Sequence, residues 1–328
     1  MKNNEYLPEG NIMSTYRNRE ALSGLAELEK AKEDGIILEA LAQMCDEELT
    51  LHFDLNGIHG IMRKEESMFC RKNEIIKDIA VLTRVGKPVC FKILSLERDG
   101  EGQMIAVLSR KAAQRECMEN RLAFLKTGDI INAKVTHLES FGAFIDIGCG
   151  ISSLLSVDSI SVSRISHPRD RLYCGMNIKA VVKTIDRENQ RIFVSQRELL
   201  GTWEENAAAF SAGQTVTGII RSIENYGIFI ELTPNLAGLA EIADFSDLPY
   251  DEKALIGQKV AVYIKSIIPE RMKIKLVIID ICKNESNEST KPPKPQYFVD
   301  CEDLTHISYW RYSPLSSKKI IETDFDAG

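Results

Sequence analysis

The sequence predicts an all-β-dominated protein in which small five-stranded barrels follow one another and are joined by short helices, with a helix near the N-terminus. Three observations support this fold class. The phrase SFGAFIDI at residues 140–147 recurs as NYGIFIEL at residues 225–232, and the copies stay in register without a gap from Gly128 and Gly213 onward. Apolar residues alternate in both copies, as in a half-buried strand. Turn residues and short helical stretches separate the strand-like runs.

The composition and the net charge limit the classes of function that the chain can have. The chain has 328 residues, of which 44% are hydrophobic and 27% charged, as in a soluble protein with several small cores. Its net charge of −7 argues against coating duplex nucleic acid by bulk electrostatics. Eight scattered cysteines form no Cys-x-x-Cys pair, so we expect reduced thiols, no metal and no cofactor. A polar N-terminus and the lack of a membrane-length apolar run predict a cytoplasmic protein without a membrane partner.

The chain divides into alternating barrels and helical segments. Leucines at helical spacing between about residues 15 and 32 predict the N-terminal helix, which Gly35 ends. Thr202 and Glu205 have the spacing of a capping box at the start of a later helix. The predicted segments are an N-terminal helical segment (1–34), a degenerate first barrel (35–112), a helical connector (113–126), a second barrel (127–200), another helical connector (201–211), a third barrel (212–281), and a linker with an aromatic tail (282–328).

The tail is rich in aromatic residues: Tyr297, Phe298, Tyr309, Trp310 and Tyr312. In one interpretation the tail folds back and covers an apolar face of a barrel. In the other it is a docking peptide that adds a strand to an exposed sheet edge of a partner. The sequence does not distinguish the two.

The repeated phrase carries the candidate chemistry. Phe141 and Phe144 flank a Gly-Ala pair at the start of a strand, and Tyr226 and Phe229 occupy the same places in the second copy. Flat rings on one face of a strand suit the stacking of unpaired nucleobases. The glycine should let the strand coil and let a ligand backbone approach. A core position for Phe144 or Phe229 stays open, because alternation can bury one ring of each pair.

These residues resemble a known family. The frame GDIINAKVTHLESFGAFIDIGCG at residues 128–150, followed by GMNIKAVVKTIDRENQRIFVS at residues 175–195, is similar to the RNA-binding domain named after small-subunit ribosomal protein S-one. The second barrel matches closely, the third well, and the first mainly through residues 85–93 and 107–111. The whole arrangement resembles the short homologues of that protein in Gram-positive anaerobes. The resemblance implies oligonucleotide-binding (OB-fold) barrels.

The family's binding residues can be carried over by position. The family presents two aromatic residues, a histidine on the third strand, and an aspartate and a basic residue near the last turn. In the second barrel the resemblance implies Phe141, Phe144, Asp186 and Arg191, with Ser156 at the histidine position. In the third barrel it implies Tyr226, Phe229 and Lys273, with Ile268 at the aspartate position and Glu241 at the histidine position.

These departures lead to a ranking. We expect the second barrel to bind RNA better than the third, because Glu241 places an anion where phosphate would run. The first barrel offers only His52 and Phe53 on the corresponding strand, so it is expected to contact protein or to serve structure. Lys134 is a further candidate for contact with phosphate. Structural roles remain open for Asp186, which could close a turn with Asn189, and for Arg191.

The sequence therefore predicts a protein that binds single-stranded RNA, messenger RNA in particular. The resemblance implies a role in translation on the small ribosomal subunit. An enzyme is not expected, since the familiar nucleotide-binding and metalloprotease motifs do not occur. The alternative is an adaptor for protein interaction or RNA metabolism that uses the first and third barrels and the aromatic tail.

Overall fold

The computed structural model describes residues 6–70, 75–241, 255–281, 292 and 294–326. Three closed five-stranded barrels and one two-stranded sheet account for its strands, which confirms the predicted fold class. The strands are β1 (Leu38–Cys45), β2 (Leu51–Asp54), β3 (His59–Met62), β4 (Pro88–Arg98), β5 (Met104–Ser109), β6 (Ile130–Glu139), β7 (Gly142–Asp146), β8 (Ser152–Ser156), β9 (Asn177–Asp186), β10 (Arg191–Ser195), β11 (Thr215–Glu224), β12 (Gly227–Thr233), β13 (Leu236–Glu241), β14 (Lys259–Ile268), β15 (Lys273–Ile281), β16 (Tyr309–Arg311) and β17 (Glu322–Asp324). The α-helices are α1 (Tyr16–Ala21), α2 (Leu25–Glu33), α3 (Asp78–Leu82), α4 (Arg110–Asn120), α5 (Val157–Ile160) and α6 (Trp203–Ala207).

All three barrels share one topology. The first strand of each barrel pairs antiparallel with the second and the fourth, and the third strand pairs parallel with the fifth, as β8 does with β10. Inward residues such as Ile131, Ala133 and Val135 on β6 are buried, while the residues between them are more exposed. A bulge follows Val135, where the pairing register of β6 with β7 shifts. The bulge turns the end of β6 outward and reverses which residues face solvent.

The predicted N-terminal helical segment is present and is divided into two helices. Helices α1 and α2 are separated by residues 22–24. Gly24 is the N-cap of α2 in an extended conformation, and glycine disfavours a helix interior by about 1 kcal/mol relative to alanine. Leu28 and Ala31 of α2 are buried in the core of the first barrel. Gly35, at a φ of +63°, follows the end of α2.

The connectors between barrels are helical. Helix α4 leads from the first barrel to the second, and the Ser109 hydroxyl accepts a hydrogen bond from the amide of Ala112 at its start. Helix α6 begins at the predicted capping box: Thr202 accepts from the amide of Glu205, and the Glu205 carboxylate accepts from the amide of Thr202. This part of the prediction is confirmed.

A buried cluster of charges joins the first two barrels. Glu9 lies between them, and its carboxylate accepts hydrogen bonds from Arg110 (Nε to Oε1, 2.6 Å) and Arg84 (Nη1 to Oε2, 3.3 Å). The amide of Glu9 donates to Asp146 of the second barrel at 2.7 Å. Arg110 is 2% exposed, so this ion pair is inside the protein. The first two barrels are therefore held as one unit by buried polar contacts.

The aromatic tail folds back onto the protein. Trp310 and Tyr312 belong to the core of the third barrel, and Phe325 packs against Val181 and Leu199 of the second barrel region. The tail also forms a β-bridge between His306 and Asp129 at the start of β6. The first interpretation of the tail is therefore the one the structure supports.

Among the described residues, no helix is both long and apolar enough to span a membrane.

Candidate nucleic-acid interface

A row of outward side chains crosses the second barrel. Strand pairing places His137 of β6 opposite Phe144 of β7, Phe144 opposite Leu154 of β8, and Leu154 beside Phe193 of β10. We call these four residues the second-barrel row. The equivalent third-barrel row is Ser222, Phe229, Leu239 and Lys275. The two rows are the matching outer faces of the repeated module.

The predicted aromatic pairs meet at one end of each row. Phe141 is 52% exposed and meets Phe144 edge to face, with ring centroids 6.0 Å apart. Tyr226 is 58% exposed and meets Phe229 in the same way at 6.1 Å. Phe144 and Phe229 are half-buried and lie outside the hydrophobic cores. Each pair thus offers one open ring and a second ring that supports it at a right angle.

The glycine between the rings has a role different from the one expected. A Cβ atom on Gly142 would lie 2.5 Å from the carbonyl oxygen of Leu155, and one on Gly227 would lie 2.6 Å from the carbonyl oxygen of Ala240. The glycines therefore permit close approach of the neighbouring strand of the same barrel. The expectation that glycine makes room for a ligand backbone is replaced by this packing reason.

His137 is a candidate that the sequence analysis missed. Its ring stacks near Phe144, with centroids 6.4 Å apart and planes 26° apart, and its Nε2 lies 2.7 Å from Glu139 Oε1. The side chain is 62% exposed. The bulge after Val135 brings it to the outer face, and a bulge position is not evident from alternation alone. An imidazole therefore lies on this face from β6, while Ser156 of β8 occupies the position that the resemblance gives to a histidine.

Asp186 and Arg191 face each other across the β9–β10 hairpin. The Asp186 carboxylate accepts from the amide of Asn189 at 2.9 Å and from its side-chain nitrogen at 2.8 Å. These hydrogen bonds, with a smaller contribution from Arg191, hold the pKa of Asp186 below its ordinary value. Asp186 therefore fixes the turn, and exposed Arg191 lines the same cavity as Phe144.

The third barrel carries different charges. Lys273 is exposed and pairs with Ile268 at the matching hairpin, so this barrel lacks the second barrel's acid there. Glu241 lies opposite Gly227, where Ser156 lies opposite Gly142 in the second barrel. Lys275 reaches Glu241, with Nζ 3.3 Å from Oε1. Lys275 was not singled out from the sequence, because only strand pairing reveals that it neighbours Leu239.

Lys134 lies apart from this face. Its ammonium donates a hydrogen bond to the carbonyl oxygen of Glu9 at 2.9 Å, so it is turned toward the N-terminal segment. In the first barrel, His52 takes the place of Phe144 in the row, while Phe53 is buried in the core. His52 stacks on His59 with centroids 5.1 Å apart. The structure brings together Phe141, Phe144, Asp186 and Arg191 in one barrel and Tyr226, Phe229 and Lys273 in the other, and leaves Lys134 outside.

Comparisons with known proteins agree on these two barrels. A family model described as the S1 RNA binding domain matches residues 125–197 and 209–279. These ranges include the strands of the second and third barrels, except the last two residues of β15, and both aromatic pairs.

Relatives match over a longer part of the chain. The small ribosomal subunit protein bS1 of Staphylococcus aureus (strain MRSA252) is 30% identical over 238 residues, which cover 70% of this chain and 59% of the relative. The protein of the same name from Chlamydia muridarum is 27% identical and covers 68% of this chain and 39% of the relative. The chain thus spans less than two thirds of the length of these relatives. A crystal structure of a multidomain protein with nucleic acid binding domains from Streptococcus pneumoniae aligns with 75% of this chain and 74% of its own, at 14% identity and a TM-score of 0.23.

Proposed function

The chain is an S1-type protein with two RNA-binding domains in tandem, and from this premise we propose that it binds single-stranded RNA, messenger RNA in particular. The binding surface comprises the outer faces of the second and third barrels. The observation that carries the proposal is the pair of exposed rings, Phe141 and Tyr226, at equivalent places in two barrels. Each ring lies in the turn just before a strand and is half open to water, so it is free to stack on an unpaired base.

The mechanism follows from geometry and charge. One base stacks on Phe141 or Tyr226, while Phe144 or Phe229 buttresses that ring edge to face and offers its own face to the next base. Arg191 lines the same cavity as Phe144, and Lys273 is exposed at the matching hairpin of the third barrel; both suit contact with phosphate. Nine Lys and Arg against eight Asp and Glu occur in residues 128–200, so the barrel has little net charge. Stacking, worth about 1–3 kcal/mol per base, must therefore supply much of the affinity.

The cellular role extends the same proposal. Relatives that are about 30% identical over most of this chain are named as small ribosomal subunit proteins. We propose that this protein likewise associates with the small subunit in the cytoplasm and presents messenger RNA there. Within the described parts of the chain, no group of three or more His, Cys, Asp or Glu side chains is placed to hold a metal ion.

The adaptor alternative loses its main support. It relied on the aromatic tail as a docking peptide, yet Trp310 and Tyr312 are 7% and 6% exposed within the third barrel's core. Their burial gives Trp310 and Tyr312 a structural role in this chain, which favours RNA binding over the adaptor function.

Titration of the full chain with a fluorescently labelled, pyrimidine-rich single strand tests the proposal. We expect binding at low salt, weakening with added salt, and weaker binding of the Phe141→Ala/Tyr226→Ala double variant. A melting curve that matches the wild type would show that the double variant is folded. Absence of binding at low salt, or an unchanged affinity in the folded double variant, would contradict the proposal.

A further inference from the structure

A cavity of about 380 Å³ lies where the second-barrel row meets the first barrel. We call it the junction pocket. Phe144, Leu154 and Phe193 of the row form one wall together with Arg191. The opposite wall comes from Met68 and Phe69, which follow β3 of the first barrel, and from Met118 of α4. The row of the second barrel therefore ends against residues that another part of the chain supplies.

Hydrogen bonds fix the position of the opposite wall. The amide of Phe69 donates to Gln114 Oε1 at 2.8 Å, and Gln114 Nε2 donates to the carbonyl oxygen of Cys149 at 3.1 Å. Arg110 donates to the carbonyl oxygen of Ser67 at 3.3 Å. Gln114 is 3% exposed, so these bonds are shielded from water. The segment around Phe69 is thus held at a set distance from the second barrel.

We propose that the junction pocket takes one unpaired nucleobase of the same RNA strand that stacks on Phe141 and Phe144. This inference rests on the proposed function and deepens it. Phe144 contacts Phe141 and also lines the junction pocket. An RNA strand that stacks on these two rings can therefore continue directly into the pocket. The pocket thereby makes the first barrel part of the second barrel's binding site.

The lining suits a nucleobase. Aromatic and thioether side chains on two sides match the flat apolar faces of a base, and sulfur makes favourable contacts with aromatic rings. Arg191 at the rim offers a cation for the phosphate that joins the inserted base to its neighbour. The volume lies near the lower end of the roughly 300–1,000 Å³ range of small-ligand sites, which fits one nucleotide-sized group.

Within the described residues of the third barrel, the row ends differently. Its row ends at Lys275, whose side chain is 48% exposed and pairs with Glu241. A cation at this position can contact phosphate but offers no flat face to a base. The inserted base is therefore expected at the second barrel only. The first barrel, which carries His52 where the second barrel carries Phe144, gains a role in RNA binding through Phe69.

An abasic scan of full-length protein tests the inference. A single-stranded oligouridine is prepared as a set in which one abasic position moves along the strand, and affinities are measured for wild type, Phe69→Ala, Met118→Ala and Phe141→Ala. Ile79→Ala, at an exposed first-barrel site, serves as the matched control. We expect Phe69→Ala to weaken binding about tenfold, as loss of one stacked base would. The wild type should show one abasic position whose penalty disappears in Phe69→Ala and persists in Phe141→Ala.

The outcomes separate the two proposals. Binding that depends on Phe141 but is the same in wild type, Phe69→Ala and Met118→Ala, with identical abasic profiles, would overturn the junction pocket and leave the proposed function standing. A wild type that binds no oligouridine at low salt would overturn the proposed function itself. If Phe69→Ala does not fold by its melting curve, Met118→Ala decides: a penalty lost at the same single position supports the pocket, and an unchanged profile rejects it.

Discussion

The second and third barrels have the same strands and the same edge-to-face ring pair, but they differ in what surrounds the rings. The second-barrel row carries His137 and Phe193 where the third-barrel row carries Ser222 and Lys275. The second barrel is joined to the first through buried charges at Glu9, while the third receives Trp310 from the tail in its core. The repeat thus preserves the stacking ring and varies the partners on each side of it.

Because of this difference, we expect the two barrels to bind RNA by different means. The second barrel has more flat surface along its row, and the third has more charge. Stacking is largely insensitive to salt, whereas contacts between a cation and phosphate weaken steeply as salt rises. We therefore expect the second barrel to supply most of the affinity at physiological salt and the third to contribute mainly at low salt.

The largest expected effect is a loss of stability when the buried ion pair of Glu9, between the first two barrels, is broken. Glu9→Gln leaves the buried Arg110 without its counter-charge, and losing one partner of a buried pair costs about 3–5 kcal/mol. Differential scanning calorimetry should show a lowered transition for the first two barrels. Glu241→Gln breaks an exposed pair in the third barrel and is the matched control, with an expected change of at most about 1 kcal/mol. Equal effects of the two substitutions would show that the Glu9 cluster is not a buried support.

A pH dependence should distinguish the barrels as well. Burial, with the neighbouring Glu9 carboxylate, raises the pKa of Asp146 from 3.8 to about 7. A carboxyl whose pKa is higher when folded binds more protons in the folded state, so its stabilising contribution is complete below about pH 4 and is lost as pH rises through 7. This group alone contributes a downward slope of at most about 1.4 kcal/mol per pH unit.

Urea unfolding at several pH values between 4 and 8 measures this slope. The slope should appear in the transition of the first two barrels and be smaller in Asp146→Asn, where buried Glu39, whose pKa burial also raises, still contributes a slope of the same sign. The burial that raises the Asp146 pKa acts also on Glu9, but there the guanidinium of Arg110, with Arg84, outweighs it and lowers the pKa. A slope of unchanged size in Asp146→Asn would assign the effect to another group.

Single ring deletions rank the two barrels directly. Phe141→Ala should weaken binding of an oligouridine by about 1–3 kcal/mol, as expected for one stacked base. Tyr226→Ala should have a smaller effect at physiological salt, because the third-barrel row ends in Lys275 rather than a ring. Fluorescence anisotropy at two salt concentrations gives both values. A larger loss for Tyr226→Ala at the higher salt would reverse the ranking.

The smallest expected effect comes from the anion of the third barrel. Glu241→Gln frees Lys275 to contact phosphate and should strengthen binding by up to about 1 kcal/mol at low salt. The slope of log K against log salt should steepen by about 0.7, the value for one more contact with a single strand. Lys275→Gln should act in the opposite direction, and a change of the same sign in both variants would rule out this ion pair as the cause.

The sequence was sufficient for the barrels and the rings. Alternating apolar residues and the repeated phrase predicted the strands around Phe141 and Tyr226, because successive side chains of a strand point alternately into the barrel and out to solvent. The sequence could not predict which side chains from distant strands lie next to one another. Strand pairing places Lys275 in the third-barrel row, and a bulge places His137 in the second-barrel row. Lys134 lies outside the site because its ammonium donates a hydrogen bond to Glu9, far earlier in the chain. The wall formed by Phe69 likewise depends on how two barrels pack together.

One measurement tests the central claim, that unpaired bases stack on the open ring of the second barrel. Both natural tryptophans, Trp203 and Trp310, are buried, so Phe141→Trp adds a single exposed reporter. We predict that single-stranded RNA quenches the added fluorescence in step with binding and shields it from acrylamide, whereas duplex RNA does neither. RNA that binds by anisotropy but leaves this fluorescence and its acrylamide quenching unchanged would contradict the account.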